Sequence, residues 1–236
     1  MQEHQTYETC IINSELWHQE SLMIWKKKSK LDEHGINIIQ LEDWFQYPNA
    51  NKYTNVSQAM NRRFLAFPNL FEILHVWAPN MSETEVRMVS HVHLCLTDKL
   101  YRTFGAMITR QPLQNVQRLR CRQFISSTTN GRWADTTTNK ITQKLLLAYQ
   151  HVGRLQPKGK SNVRIQDLKI PDTVVEYIFY VLVQIGYTDI HLLDNDYWKS
   201  LGLTKQRIQL EYTDIFDRLK NNVPPRDFIT KITTKS

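Results

Sequence analysis

His91, His93 and Cys95 come nearest, by type and spacing, to a set of metal ligands in this sequence. Apolar residues recurring at threes and fours predict that a helix passes through them. On a helix, positions two apart diverge by about 200°, so His91 and His93 cannot share an ion, and only His91 and Cys95 lie on one face. The sequence therefore predicts no metal site.

Pairs of acidic residues are the raw material of a two-metal nuclease. Three such pairs occur here: Glu42 with Asp43, Asp194 with Asp196, and Asp214 with Asp217. None lies in a basic context with a companion Lys or His, and helix capping and solvation explain them. The chain also has no GxxxxGK[ST] phosphate loop, no GxSxG elbow and no GxGxxG turn. We therefore predict a protein that is not an enzyme and needs no cofactor.

Positive charge is concentrated between residues 110 and 169. This segment has twelve Lys and Arg residues and two Asp residues, a net charge of +10, whereas the whole chain carries +7. Such a local excess indicates a polyanionic partner. The predicted nucleic-acid contacts are Arg110, Arg118, Arg120, Arg122, Arg132, Lys140, Lys144, Arg154, Lys158, Lys160 and Arg164.

A helix from Thr136 to Val152 is predicted to carry part of this charge. Asp135 and the threonines after it can cap its first N–H groups, and Gly153 supplies a left-handed end. Its buried face is predicted from spacings of four, four and three: Ile141, Leu145, Tyr149 and Val152. Lys140 and Lys144 lie off that face.

A basic hairpin is predicted to follow the helix. Pro157 and Gly159 mark a turn, and Val163 to Ile165 can form a short strand. Helix, turn and hairpin together outline a winged helix, in which the helix lies in the major groove and the hairpin, with Lys158 and Lys160, touches a neighbouring backbone.

The remaining pattern is helical. Ser82 and Glu85 form a capping-box pattern that opens a long central helix of about seven turns, reaching Met107. Leu113, Val116, Leu119 and Phe124 predict another amphipathic helix after Pro112. Further helices are predicted from Ser14 to Lys28, from Val56 to Phe67, from Pro171 to Gly186, and from Thr204 through Ile208, Tyr212, Ile215 and Leu219.

The predicted fold is mainly α: a multi-helix bundle with a winged helix-turn-helix-like unit and a small β-wing in its second half. We expect a helical region at 1–110 and a winged-helix-like region at 111–236, or one compact unit. Ile38–Phe45 and Val56–Phe67 could form a second helix-turn-helix, although ordinary packing explains their spacing.

The spacing of the cysteines and the length of the apolar segments indicate the cellular compartment of the protein. Cys10, Cys95 and Cys121 are widely spaced without a CxxC pair, which predicts reduced thiols in the cytoplasm. The start, MQEHQTYETC, has no apolar core and does not predict a secretory signal. The most apolar window, 173–187, is too short to span a bilayer, so we expect no membrane partner.

Several segments resemble the BrxA proteins of BREX bacteriophage-defence systems, from about Glu42 to the carboxyl end. The segments are NANKYTNVSQAMNRRF, WADTTTNKITQKLLLAYQHVGRL, IPDTVVEYIFYVL and DYWKSLGL. None is a catalytic signature. The resemblance implies a mainly helical, non-enzymatic accessory protein that binds DNA and works beside the methyltransferase, ATPase and phosphatase-like components of a defence locus.

Charge and resemblance together predict that the chain binds double-stranded DNA, chiefly through its phosphates and with low sequence specificity. Two alternatives remain open. The basic face could dock an acidic protein, which would make the chain an assembly adaptor. It could also hold RNA, although no aromatic-rich sheet or GXXG loop favours that.

Overall fold

The computed structural model describes Ile11 and residues 15–31, 35–111, 115–159 and 161–220. In this part of the chain the protein is mainly helical, with one small antiparallel sheet in its second half. The fold class predicted from the sequence is therefore confirmed.

Four helices form the first part: α1 (His18–Lys26), α2 (Ile38–Trp44), α3 (Ala50–Phe64) and α4 (Pro68–Trp77). Short 3-10 turns follow α1 and α4, at Lys28–Lys30 and Ala78–Asn80. The helix predicted from Val56 begins six residues earlier, because the Asn49 side chain caps it by accepting from the Lys52 N–H. The predicted cap Ser14 lies outside the described residues, and α1 starts at His18.

The predicted central helix is two helices, α5 (Glu83–Thr97) and α6 (Lys99–Thr109). Its start is confirmed, since Ser82 and Glu85 form a reciprocal capping box. Its continuity was predicted wrongly because the chain turns at Asp98, where φ is −127° and ψ is 100°. The Asp98 carboxylate caps α6, accepting from the Tyr101 N–H at 2.8 Å.

The second half begins with β1 (Asn115–Gln117), α7 (Arg118–Thr128) and α8 (Asp135–His151). The hairpin follows as β2 (Leu155–Lys158) and β3 (Asn162–Ile165), and the strand order is β1-β3-β2. The predicted helix through Leu113 and Val116 is wrong at its start: residues 115–117 pair with β3, and Val116 is buried in the sheet. Leu119, assigned to the buried face, is 59% exposed. Leu113 lies outside the described residues.

Five helices complete the fold: α9 (Asp172–Gln184), α10 (Asp189–Leu193), α11 (Asp196–Ser200), α12 (Lys205–Glu211) and α13 (Thr213–Lys220). The predicted starts at Pro171 and Thr204 are confirmed. The last predicted helix is interrupted at Tyr212, where φ is −132°, so it forms two short helices rather than one.

Buried apolar side chains form one cluster that runs from Ile11 to Ile215. It crosses residue 111 without a break, since Phe104 and Ile108 belong to it together with Val116 and Cys121. No helix of the described chain is long and apolar enough to cross a membrane.

Candidate nucleic-acid interface

Helices α6 to α8 and the sheet have the order helix, strand, helix, helix, strand, strand. With β3 between β1 and β2, this is the connectivity of a winged helix-turn-helix unit. The turn between α7 and α8 uses two left-handed residues, Asn130 at φ 52° and Gly131 at φ 65°. In such a unit α8 is the helix that can enter a DNA groove, and the β2–β3 hairpin is the wing.

The inner face of α8 holds the helix against the core. Ile141, Leu145 and Tyr149 have no exposed surface, and the Tyr149 hydroxyl donates to the Tyr101 carbonyl at 3.0 Å. Gly105 on α6 makes room for this ring, because a Cβ there would lie 2.0 Å from the Tyr149 oxygen. The predicted end at Gly153 (φ 87°) is confirmed, and the Arg154 N–H donates to the Tyr149 carbonyl at 2.9 Å.

The outer face of α8 is open. Its exposed side chains are Asp135, Thr136, Asn139, Lys140, Gln143 and Leu147. A shallow depression of about 230 Å³ lies on this face, lined by Lys140, Gln143, Lys144 and Leu147. The sequence analysis identified the two lysines as contacts but not Gln143 and Leu147. These two residues are four positions apart on the polar side of the helix, and that spacing could have pointed to them.

The wing presents a polar outer face. Arg164 on β3 lies between Asn115 on β1 and Gln156 on β2, and Lys158 pairs with Asn162. Val163 points the other way and is fully buried. The Arg118 N–H donates to the Ser161 carbonyl at 2.9 Å, which ties the start of α7 to the tip of the hairpin. Lys160 was predicted as a contact and lies outside the described residues.

Arg118 and Arg120 occupy the first turn of α7, and both are exposed. This turn has no acidic residue and no side-chain cap. The N-terminal end of a helix carries partial positive charge and disfavours cations. Two arginines at this position therefore cost stability, which a role in binding an anion would explain.

Besides the buried Arg154, three predicted contacts form ion pairs. Arg110 lies 3.5 Å from Asp196, and Arg122 lies 2.6 Å from Asp135. Lys144 pairs with Glu15, which precedes α1. Nothing in the sequence links Glu15 to α8, because they are 129 positions apart. Each pair cancels part of the positive charge that the composition places on this face.

Arg154 is a predicted contact that the structure buries. It was predicted to contact nucleic acid, but only 3% of its surface is exposed. Its guanidinium donates to the Gln166 carbonyl and, at 3.3 Å, to the Thr109 hydroxyl. Burial lowers the pKa of Arg154, and the carboxylate of Asp167 at 3.9 Å opposes that effect. Arg154 therefore joins α6 to the segment after β3 and offers no surface to a phosphate.

The remaining contacts fall into two groups. Arg132 is exposed in the turn between α7 and α8. Five other side chains are exposed and have no ion-pair partner within the described ranges: Arg118, Arg120, Lys140, Lys158 and Arg164. These five come from α7, α8 and the wing, the three elements that a winged helix brings to DNA.

His91, His93 and Cys95 are buried in the core. The two ring nitrogens of His91 lie 2.6 Å from the Tyr101 hydroxyl and 2.8 Å from that of Ser200. Burial lowers the pKa of His91 to about 3 and raises that of the Cys95 thiol to about 12. Across the described chain, no group of three or more His, Cys, Asp or Glu side chains is placed to hold a metal ion.

No family model and no curated protein matches this chain. Among solved structures it is similar to the crystal structure of an uncharacterized protein from Magnetospirillum magneticum, with a TM-score of 0.56 at 16% sequence identity. The match covers 75% of this chain and 94% of that protein. The likeness shows that the two proteins share a fold.

Proposed function

We propose that this protein is a non-enzymatic accessory protein that binds double-stranded DNA, mainly through the phosphates. One observation carries the proposal. A unit with winged helix-turn-helix connectivity bears five exposed cations without ion-pair partners in the described chain, and they lie on α7, α8 and the wing.

Each of the three elements has a distinct role in this proposal. Helix α8 enters the major groove, which is about 12 Å wide and admits a helix, and Lys140 lies on its exposed face. Arg118 and Arg120 contact the backbone that α7 crosses. Lys158 and Arg164 contact a neighbouring backbone from the wing. Contacts to phosphate position a protein on DNA and supply most of its non-specific affinity.

The biological setting proposed here rests on the resemblance to the BrxA proteins of BREX systems. It suggests that the protein works in the cytoplasm in bacteriophage defence, beside a methyltransferase, an ATPase and a phosphatase-like component. Its segments include α3 and α8, so the resemblance concerns both the helical first part and the winged unit.

Salt dependence of binding tests the proposal. Each neutralised phosphate contributes about 0.9 to the slope of log K against log salt, so five contacts give a slope of about −4.5. Between about 50 and 200 mM salt the affinity for a fluorescent duplex should therefore fall roughly 500-fold. Changing Lys158 and Arg164 to alanine should reduce the slope by about two, for any duplex sequence.

Lys26 at the end of α1 provides a matched control, since it is exposed and lies outside the winged unit. Its change to alanine should leave the slope unaltered. A wild-type slope near zero, or no binding at low salt, would refute the proposal. Tighter binding to RNA or to a single strand would refute the preference for duplex DNA.

An assembly adaptor is the second candidate. Ile38 and Ile39 on α2 are 41% and 71% exposed, and adjacent exposed isoleucines are more typical of a protein contact than of a solvated helix. Changing both to serine and testing co-purification with the proteins encoded beside this chain would examine that role. DNA affinity should stay unchanged in the variant.

A further inference from the structure

The exposed face of α8 carries a row of uncharged groups. Asn139, Gln143 and Leu147 are spaced four residues apart, so they follow one another along the same side of the helix. All three are exposed. At 1.5 Å per residue the row is about 12 Å long, which corresponds to three or four base pairs at about 3.4 Å each.

The two amides are available for hydrogen bonding. Within the part of the chain that the structure describes, neither the Asn139 nor the Gln143 side chain has a hydrogen-bond partner. Each amide has a donor and an acceptor to offer at once. Leu147 is 39% exposed beside the depression that Gln143 also lines, so an apolar surface continues the row.

Of the two lysines beside this row, Lys140 and Lys144, one is in an ion pair. Lys144 pairs with Glu15, and the Glu15 carbonyl accepts from the guanidinium of Arg63 at 2.7 Å. Arg63 is itself buried, so the main chain that carries the carboxylate is fixed to α3. Lys140 has no ion-pair partner among the described residues. The middle of α8 is thus poor in phosphate-binding groups and rich in groups suited to base edges.

We infer that Asn139, Gln143 and Leu147 read base edges in the major groove and select sites that contain A·T pairs. The inference rests on the proposed duplex binding and adds a sequence preference to it. Asn and Gln bind adenine through its N6 and N7, and an apolar side chain contacts the thymine methyl group. The low specificity expected from charge alone then applies to the wing and α7, not to α8.

Altered bases test this reading directly. Uracil in place of thymine removes only the major-groove methyl, and 7-deazaadenine removes only the N7 acceptor. Wild-type protein should bind an alternating A·T duplex about tenfold more tightly than an alternating G·C duplex, a value within the range of one bidentate contact. Each altered base should remove a large part of that preference.

Matched variants assign the effect to residues. Leu147→Ala should make binding indifferent to the change from thymine to uracil, and Gln143→Ala should reduce the response to 7-deazaadenine to the part that Asn139 supplies. Gln206→Ala is the control, because Gln206 is an exposed amide on α12, outside the winged unit. Both test positions are exposed, so melting temperatures should remain close to that of the wild type.

The outcomes separate the inference from the proposed function. Equal binding to A·T and G·C duplexes overturns the inference and leaves duplex binding standing. A preference for A·T that survives both altered bases also overturns it, because the protein would then be reading groove shape. Absence of binding to every duplex at low salt refutes the proposed function and the inference together.

Discussion

Mild acid should destabilise this protein through two buried histidines. His91 and His93 have no exposed surface, and burial lowers the pKa of each to about 3, from about 6.5 in an unfolded chain. Above pH about 6.5 both residues are neutral in both states, and stability does not change with pH. Below that pH both histidines bind protons in the unfolded chain but not in the folded protein, so stability falls until pH about 3.

Burial keeps each ring neutral in the folded protein, and the hydrogen bonds around the rings select their tautomers. The Ser200 hydroxyl donates to the Tyr197 carbonyl at 2.6 Å, so it accepts from His91 Nε2, and Nδ1 is left to accept from Tyr101. His93 has the opposite arrangement: Nδ1 donates to the Arg63 carbonyl at 3.1 Å, and Nε2 lies 2.7 Å from the Tyr177 hydroxyl. A second proton on either ring would bring an unsolvated charge into the core.

The size of the loss follows from these pKa values. One pH unit below 6.5, each histidine removes about 1.4 kcal/mol from the free energy of unfolding, and the pair removes about 3 kcal/mol. The total stability of a domain is about 5 to 15 kcal/mol. Carboxylates contribute mainly at lower pH, so the interval between about pH 5.5 and 7 reports on histidine.

Urea unfolding followed by tryptophan fluorescence measures this loss at several pH values. His91→Gln and His93→Gln should each reduce the difference in unfolding free energy between about pH 7.5 and 5.5 by about 1.4 kcal/mol. His191→Gln is the control, because His191 is exposed. Equal stability of the wild type at the two pH values, or a full loss retained in both variants, would refute the reasoning.

Two further predictions concern the charged groups around α7 and α8. Changing Arg118 and Arg120 to glutamate should abolish duplex binding yet stabilise the fold by about 1 kcal/mol, since acids suit the first turn of a helix; a lower melting temperature would contradict this. Glu15→Gln should release Lys144 and steepen the salt slope by about 0.9, as measured by fluorescence anisotropy. The same change in a Lys144→Gln background should have no effect on the slope.

Local signals in the sequence predicted much of the fold. The Ser82 and Glu85 capping box, Gly153 and Pro171 each act within one helical turn, and their helices begin or end where expected. The strand that ends the wing and the turn at Gly159 were likewise predictable from a local pattern. Pro157 was assigned to that turn wrongly, because it lies in β2 and pairs with Val163.

Features that depend on distant parts of the chain were missed. Val116 and the apolar residues near it have a helical spacing, yet Val116 lies in β1 and pairs with β3. Arg154 follows a basic pattern but is buried, and it bonds to α6 and to the segment after β3. Glu15 reaches α8 only because Arg63 fixes the segment that precedes α1. In each case the partner lies far away in sequence, where periodicity carries no information.

The shortness of β1 sets an order of assembly. Gln117 pairs with Asn162, 45 positions later, and closing a loop of that length costs on the order of 3 kcal/mol. Three residue pairs do not offset this alone, so we expect β1 to dock after α7 and α8 have packed and shortened the loop. We expect β1 to detach early on unfolding. Because Arg118 follows β1 directly, the arginines of α7 should then separate from the wing before the helices melt.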